Sequence, residues 1–347
     1  MKVCVSLRKF LFKGSSMEFM LNSDIKPLPE PIGYQDKILL IGSCFTEHIG
    51  NTLDELKFRI LQNPHGILFD PASVCKSLVS YTQNKKYTRD DLFYLNGVWN
   101  SWEHHSRFSH PDADISLQMM NDATQQAHDF LKDADWVIIT LGSSFSYRLA
   151  DIAEGRKGEG VANCHRAPGQ WFNKHLLAID ETVTLLDNSY HQLKRFNPKL
   201  KFLFTVSPVR HIRDGVVENN RSKARLLESV HHMVNKFAGL YYFPAYELVI
   251  DVLRDYRFYD IDLVHPNYSA TSFVLEKFAG SCVDADTRQL MQEVRKIMIA
   301  RRHKAFHPAT DAHQQFLAAH LQKVNTMMAK YPFLDFKEEA SYFAAGS

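Results

Sequence analysis

The sequence predicts a three-layer α/β/α fold in which helices cover both faces of a five-stranded parallel sheet. Short runs of the chain are apolar at nearly every position, which is typical of strands that are buried on both faces. These runs alternate with longer amphipathic segments, and that alternation favours parallel strands joined by right-handed crossover helices. The expected strand order is 2-1-3-4-5, the flavodoxin-like arrangement.

The expected elements follow one another in a regular order. The predicted strands are 37–41, 57–61, 135–142, 200–206 and 240–244. The predicted helices are 45–56, 70–82, 115–132, 173–195, 219–238 and 269–279. The second helix has a clear start, because Asp70 can cap it and Pro71 suits the first helical position.

Two insertions interrupt this pattern, at about 84–114 and 148–170. The first lacks a sustained period, although Asn96-Gly97 favours a hairpin. A long irregular insertion in a compact domain is usually a functional loop or a lid. Five aromatic and histidine side chains of this insertion could either pack in the interior or contact a ligand. They are Trp99, Trp102, His104, His105 and His110. No His-x3-His pattern with a carboxylate accompanies these histidines, so no metal is predicted.

The two ends of the chain differ in composition from its middle. Residues 1–34 are expected to be an extended lead-in, because prolines recur before residue 35, and residues 1–16 could precede a true start at Met17. The α/β domain is expected at 35–282. Charged amphipathic patterns at 288–302 and 309–330 predict a helical C-terminal extension over 283–347.

Composition narrows the functional class. A net charge of +2 over 347 residues does not favour nucleic acid as a partner. The five cysteines are widely spaced, odd in number and without a CxxC pair, so neither a disulfide framework nor a zinc ribbon is expected. No run is apolar enough to span a membrane, and no signal peptide is recognisable. We therefore expect a cytoplasmic protein without a cofactor.

The first predicted strand turns into a helix through Gly42, Ser43 and Cys44. Such a turn places the Ser43 hydroxyl at the carboxyl end of a sheet, beside free backbone N–H groups, where a nucleophile can act. The alternative is an ordinary N-cap, which serine favours for its own sake. Cys44 is a rival nucleophile or a packed thiol.

Six short blocks, in this order, resemble the GSCFA family, which is related to the SGNH/GDSL hydrolases. They are Gly42-Ser43-Cys44-Phe45, Asn63-Pro64-His65-Gly66, Leu141-Gly142-Ser143, Asn163-Cys164-His165, Ser207-Pro208-Val209-Arg210-His211 and Asp262-Leu263-Val264-His265. The resemblance covers about residues 35–280, with Thr46 where the family's name has alanine. It implies an SGNH-type sheet within an SGNH-like hydrolase domain.

The resemblance also implies roles for single residues. Ser43 corresponds to the nucleophile, His265 to the general base and Asp262 to the residue that orients the base. Gly66 corresponds to an oxyanion donor, alongside the backbone N–H of Ser43. The family relatives carry an asparagine donor after the third block, but this chain has Gly142-Ser143-Ser144 there. Asn163, in the next block, is the predicted replacement.

Other residues of these blocks are expected to line the site: Cys44, His65, Gly142, Ser143, His165, Arg210 and His211. Arg210 and His211 follow the fourth predicted strand. They are expected either to clamp a polar or anionic substrate group or to fix their loop through a salt bridge.

The resemblance therefore predicts a serine hydrolase that cleaves a carboxylic ester of a small molecule or carbohydrate through an acyl-enzyme. Two alternatives remain open at this point. An acyltransferase would use the same three residues, since water and an alcohol need the same base. A non-catalytic binding protein would keep the fold without the reaction.

Overall fold

The computed structural model describes residues 21, 23–151 and 156–345, so the predicted extension at 1–16 lies outside the described residues. The strands are β1 Lys37–Gly42, β2 Arg59–Gln62, β3 Phe93–Leu95, β4 Val98–Asn100, β5 Trp136–Leu141, β6 Phe145–Leu149, β7 Gly160–Val161, β8 Phe172–Leu176, β9 Lys201–Val206 and β10 Leu240–Tyr242. The helices are α1 Cys44–Glu55, α2 Pro71–Gln83, α3 Ala113–Leu131, α4 Ile179–Phe196, α5 Val216–Lys236, α6 Ala245–Glu247, α7 Tyr268–Cys282, α8 Ala285–Arg302, α9 Asp311–Lys330 and α10 Lys337–Ala345.

The central sheet has the order β2-β1-β5-β9-β10, and every neighbouring pair is parallel. Counted among these five strands alone, the order is 2-1-3-4-5, so the predicted fold is confirmed. The chain reverses its direction of growth between β1 and β5. In sheets of this kind, ligands bind where the order reverses, beyond the carboxyl ends of the strands.

The strands of the sheet are buried on both faces, which explains their uninterrupted apolar runs. In β1, Ile38 and Leu40 face one hydrophobic cluster, while Leu39 and Ile41 face the other. Helices α2 to α5 pack on the second face. Helices α1 and α7 pack on the first. Consecutive side chains of a strand point to opposite faces, so the sheet has two apolar faces. Helices cover both faces, which gives the predicted three-layer arrangement.

The C-terminal helices extend the first of these two layers. Val294 of α8, Val324 of α9 and Phe343 of α10 belong to the same apolar cluster as Ile38 of the central sheet. Glu339 of α10 is fully buried and pairs with Lys57 at 3.0 Å and with Arg301 at 2.7 Å. The appendage therefore shares a core with the α/β layers.

The insertions contain more regular structure than the sequence indicated. The predicted hairpin exists, since β3 and β4 pair through a turn at Asn96-Gly97 with both residues at positive φ. The second insertion was predicted to be irregular, but β7, β6 and β8 form a small antiparallel sheet. The prediction of a helix from residue 173 was wrong for residues 173–178, because β8 pairs with β6 as far as Leu176 and α4 begins at Ile179.

The error has a physical cause. Phe172, Leu176 and Leu177 recur at helical spacing, but a pairing partner distant in sequence takes up the backbone hydrogen bonds of this segment. Within the residues described here, no helix combines the length and the apolar character that crossing a membrane requires.

Candidate active site

The turn after β1 brings the chain to the carboxyl edge of the sheet. Gly42 has a φ of 145°, and a Cβ added there would collide with the carbonyl oxygen of Thr140 on the neighbouring strand. Only glycine accepts both constraints. The side-chain amide oxygen of Asn63 accepts a hydrogen bond from the Gly42 N–H at 2.9 Å. These contacts fix the position of Ser43, the next residue.

Ser43 occupies the N-cap position of α1 but does not cap it. Its backbone N–H donates to Thr140 O at 3.1 Å, whereas its Oγ has no hydrogen-bond partner among the described residues. The residue is only 2% exposed. An N-cap serine normally bonds a backbone N–H of the first turn, and a buried hydroxyl without a partner is uncommon. The ordinary N-cap interpretation therefore does not account for Ser43.

Gly142, directly after β5, lies against Ser43. A Cβ added at Gly142 would be 2.9 Å from Phe69 Cβ and 3.3 Å from both Ser43 Cβ and His211 Nε2. Any side chain at 142 would thus press on three neighbours. The same measurement shows that Ser43 and the imidazole of His211 approach one point above Gly142. From the sequence, His211 is expected to line the site and, with Arg210, either to clamp a substrate group or to fix its loop.

His211 is held by contacts from several elements. Its backbone N–H donates to Asn219 Oδ1 at 2.9 Å, and its ring centroid lies 5.4 Å from that of Phe69. Burial, with smaller contributions from the nearby Lys223, His265 and Lys174, lowers the pKa of His211 to about 4. The imidazole is therefore neutral at pH 7.

Asp262 and His265 form the hydrogen-bonded pair that the Asp-x-x-His spacing predicts. His265 Nδ1 lies 2.6 Å from Asp262 Oδ2, while the N–H groups of Val264 and His265 donate to Asp262 Oδ1 at 2.9 and 3.0 Å. The N–H of His265, followed by its ring and the N–H of Val264, lowers the pKa of Asp262 to about 2. The carboxylate thus stays ionised and orients the ring.

Arg210 joins the two loops that carry His211 and His265. Its N–H donates to Val264 O at 3.2 Å, and its guanidinium lies over the ring of Tyr259 at 4.2 Å. Neither contact is a salt bridge. Of the two expectations for Arg210, the role in fixing the loop agrees with these contacts. The loop is held by a backbone hydrogen bond and an aromatic ring instead of the expected salt bridge.

The oxyanion donors expected from the sequence have other partners. The Gly66 N–H donates to Asn63 O at 2.7 Å, and the Ser43 N–H donates to Thr140 O. Asn163 Oδ1 accepts from the His165 N–H at 2.8 Å, within its own loop. The contacts of the described residues do not bring Gly66 or Asn163 to the Ser43 hydroxyl.

Two of the histidines predicted to line the site lie in the interior. His65 is fully buried, with Nδ1 3.1 Å from Ser77 Oγ and Nε2 2.9 Å from Thr124 Oγ1. His165 places Nε2 2.8 Å from Ser101 O and packs near Trp102. The His65 ring therefore joins α2 to α3, and the His165 ring joins the second insertion to the first.

The remaining two predicted lining residues lie next to the Ser43 region. Burial raises the pKa of the Cys44 thiol, which is partly buried against the first apolar layer. Ser143 Oγ lies 3.1 Å from Ser222 Oγ and accepts from the Phe145 N–H. Cys44 thus follows Ser43 in the turn after β1, and Ser143 follows Gly142 in the turn after β5.

The aromatic and histidine-rich loop is packed rather than open. Trp102 is buried and stacks on Phe93 with ring centroids 3.6 Å apart. His104 is fully buried, with its ring 4.1 Å from that of His65. In the part of the chain that the structure describes, no three His, Cys, Asp or Glu side chains converge as a metal site requires.

Lys223 is a component of the site that sequence reasoning missed. It is fully buried on α5, and its Nζ donates to Gly142 O and Ser207 O, both at 2.6 Å. These bonds join the end of β5 to the end of β9. Burial lowers the pKa of Lys223 to about 7. The sequence contains a pattern that could have revealed this burial. Lys223 lies on the same face of α5 as the buried residues Asn219, Leu226 and Val230.

Comparisons with known proteins place this geometry in context. A model described as "GSCFA family" matches residues 37–278, and one described as "GSCFA domain protein, C-terminal domain" matches residues 294–346. No curated protein matched the chain.

Two solved structures align with most of the chain. One is a carbohydrate esterase family 3 protein from Talaromyces cellulolyticus, with 9% identity, a TM-score of 0.36, and coverage of 76% of this chain and 99% of that one. The other is an acetyl esterase mutant with an acetate ion, with 10% identity, a TM-score of 0.34, and coverage of 76% and 100%.

Proposed function

Since the chain belongs to the GSCFA family, we propose that it is a serine hydrolase that cleaves a carboxylic ester through an acyl-enzyme. Ser43 is the nucleophile, His265 the general base and Asp262 the residue that orients the base. The single observation that carries this proposal is the Ser43 hydroxyl. It is buried at the carboxyl edge of the sheet and bonds neither its own helix nor any other described residue.

The Asp262–His265 pair supplies the general base that the Ser43 hydroxyl needs. A serine hydroxyl is a poor nucleophile near pH 7 unless a base takes its proton. Asp262 Oδ2 accepts from His265 Nδ1–H, which leaves Nε2 free to take a proton. The loops that carry the two histidines are joined by the bond from the Arg210 backbone N–H to Val264 O at 3.2 Å, and His211 Nε2 approaches the same point as Ser43 Cβ. These contacts support a role for His265 at the Ser43 hydroxyl.

The reaction proceeds in two halves. Ser43 Oγ attacks the carbonyl carbon while its proton moves to His265 Nε2, and the carbonyl electron pair moves to the oxygen. The tetrahedral intermediate collapses, the C–O bond to the alcohol breaks, and His265 returns the proton to that alcohol. Water then attacks the acyl-enzyme by the same route and releases the acid and free Ser43.

The neighbouring thiol is a poorer candidate. Cys44 belongs to the first turn of α1, where a lowered pKa would be expected of a reactive thiol, but burial raises its pKa. At neutral pH the thiol is therefore protonated. Its side chain also packs against the apolar layer that contains Ile49.

Hydrolysis of 4-nitrophenyl acetate tests this assignment. The wild-type protein should turn over the ester, and Ser43→Ala and His265→Ala should each reduce kcat by about 1,000-fold or more. Ser269→Ala, at an exposed serine of α7, is the matched control and should keep wild-type kcat. Turnover that persists in Ser43→Ala would contradict the proposal.

A further inference from the structure

Ester cleavage needs hydrogen-bond donors for the oxyanion, and four backbone donors near Ser43 already have acceptors in the fold. The Ser43 N–H donates to Thr140 O at 3.1 Å, and the Gly66 N–H donates to Asn63 O at 2.7 Å. The N–H groups of Gly142 and Ser143 both donate to Phe69 O, at 2.7 and 3.1 Å. The side-chain donor that SGNH hydrolases carry after this glycine is replaced by serines. A side-chain donor from another element can take over this role.

One polar side-chain atom stands beside Ser43 at this place. His211 Nε2 and Ser43 Cβ each lie 3.3 Å from the position of a Cβ on Gly142. Because Gly142 has no side chain, no protein atom occupies this position between the Ser43 side chain and the imidazole. The next side chain around this point, that of Phe69, is apolar.

We propose that His211 is a catalytic residue whose Nε2–H donates a hydrogen bond to the substrate oxyanion, in place of the asparagine amide of SGNH hydrolases. The inference rests on the proposed function, since an oxyanion forms only when Ser43 attacks an ester. In the attack step, the negative charge that develops on the former carbonyl oxygen faces Nε2. No proton leaves His211, so the ring is unchanged at the end of the cycle.

The surroundings of His211 suit a donor better than a base. The charged and titratable groups that act on it are Lys223, His265 and Lys174, and none of them is a carboxylate. Among the described residues, neither ring nitrogen has a hydrogen-bond partner, so no acceptor fixes the ring as Asp262 fixes His265. Burial, together with these neighbours, lowers the pKa of His211 and keeps the imidazole neutral, and a neutral imidazole is an effective oxyanion donor and a weak base.

The position of His211 is fixed before substrate binds. Asn219 Oδ1 holds its backbone N–H, the Phe69 ring packs against its imidazole, and Arg210 ties the loop to Val264 O. Preorganised donors stabilise a transition state more than mobile ones, because no reorganisation is needed at the moment of reaction.

A matched pair of substitutions separates a donor from a base and from a merely structural ring. Gln places an amide N–H near the position of Nε2, and Met has similar length and shape without a donor. With 4-nitrophenyl acetate, His211→Met should lower kcat by about 100- to 1,000-fold with little change in KM. His211→Gln should retain at least about ten-fold more kcat than His211→Met. His265→Gln serves as the reference for loss of the base.

The outcomes discriminate clearly. Equal kcat in the Gln and Met variants, or wild-type kcat in both, would overturn the role of His211. If His211 were the base, both variants would fail to react with a fluorophosphonate, and His265→Gln would still react. Thermal unfolding of each variant reports whether the fold is intact. A wild-type protein that neither hydrolyses the ester nor reacts with the probe would instead overturn the proposed function, and with it this inference.

Discussion

Single residues at the carboxyl edge decide whether this fold is an enzyme. Ser43 is set apart from an ordinary N-cap by an unbonded, buried hydroxyl, and His265 is set apart from a surface histidine by its bond to Asp262. Neither feature is meaningful without the other, because a nucleophile needs a base and a base needs an orienting acceptor.

Replacing Asp262 by Asn should preserve the conformation of the loop but remove the charge that orients His265. The amide oxygen can still accept from the N–H groups of Val264 and His265, but it cannot favour the same tautomer of His265 with a charge. We expect kcat to fall by about 10³- to 10⁴-fold, with an unchanged circular dichroism spectrum. A kcat within a few-fold of wild type would show that His265 does not depend on Asp262.

Lys223 should make stability depend on pH in a defined direction. Its pKa is lowered from 10.5 to about 7 in the folded protein, so the unfolded chain binds more protons between these values. The free energy of unfolding of the wild type, relative to that of Lys223→Met, is therefore highest above pH 10.5. This relative stability is lost as the pH falls from 10.5 to 7. We expect the free energy of unfolding of the wild type, relative to this variant, to rise by about 1 kcal/mol per pH unit from pH 8 to 9.5.

Urea unfolding of both proteins at several pH values measures this slope. A flat difference across that range would mean that Lys223 keeps an ordinary pKa in the fold. The two carbonyls that accept from Nζ belong to Gly142 and Ser207, so the same variant also tests whether joining β5 to β9 supports turnover.

At the scale of elements, the ends of the strands carry the site. Gly142 after β5 lies between Ser43 and His211, and its lack of a side chain leaves the space between their side chains unfilled. We expect Gly142→Ala to reduce kcat/KM by about 100-fold or more, since the methyl group would occupy this space and press on Phe69 Cβ at 2.9 Å.

The matched control is Gly280→Ala in α7, where an added Cβ meets nothing within 4 Å. That variant should keep wild-type activity and gain up to about 1 kcal/mol of stability, because alanine favours a helix over glycine. Wild-type activity in Gly142→Ala would show that substrate does not enter between Ser43 and His211.

The elements also show what a sequence can and cannot reveal. The apolar runs of β1, β5 and β9 and the Asp262–His265 spacing are local patterns, so they could be predicted. The strand β8 could not, because its state depends on pairing with β6. The acceptors of the Gly66 and Ser43 N–H groups, and the approach of His211 to Gly142, depend on how distant loops meet.

At the scale of the whole molecule, the C-terminal helices extend the apolar layer on one side of the sheet. Phe336 precedes α10 and is fully buried within the cluster that contains Ile38, whereas Phe306 is 97% exposed. We expect Phe336→Ala to lower the free energy of unfolding by about 3–5 kcal/mol and Phe306→Ala to leave it nearly unchanged. Denaturant unfolding followed by tryptophan fluorescence checks both.

This comparison tests whether the appendage and the α/β layers unfold as one unit. A shared core predicts a single cooperative transition that shifts as a whole in Phe336→Ala. A separate early transition for the C-terminal helices, with the main transition unmoved, would contradict that account. Ester hydrolysis below the transition should be the same in both variants, because neither phenylalanine is near Ser43.

The central claim is that Ser43 is a nucleophile activated by His265. The most direct measurement is peptide mapping by mass spectrometry after reaction with a fluorophosphonate, which forms a covalent adduct only with an activated hydroxyl. The account predicts one adduct per chain on the peptide that contains Ser43, absent in Ser43→Ala and in His265→Ala. Equal labelling of all three proteins, or an adduct on another residue, would contradict it.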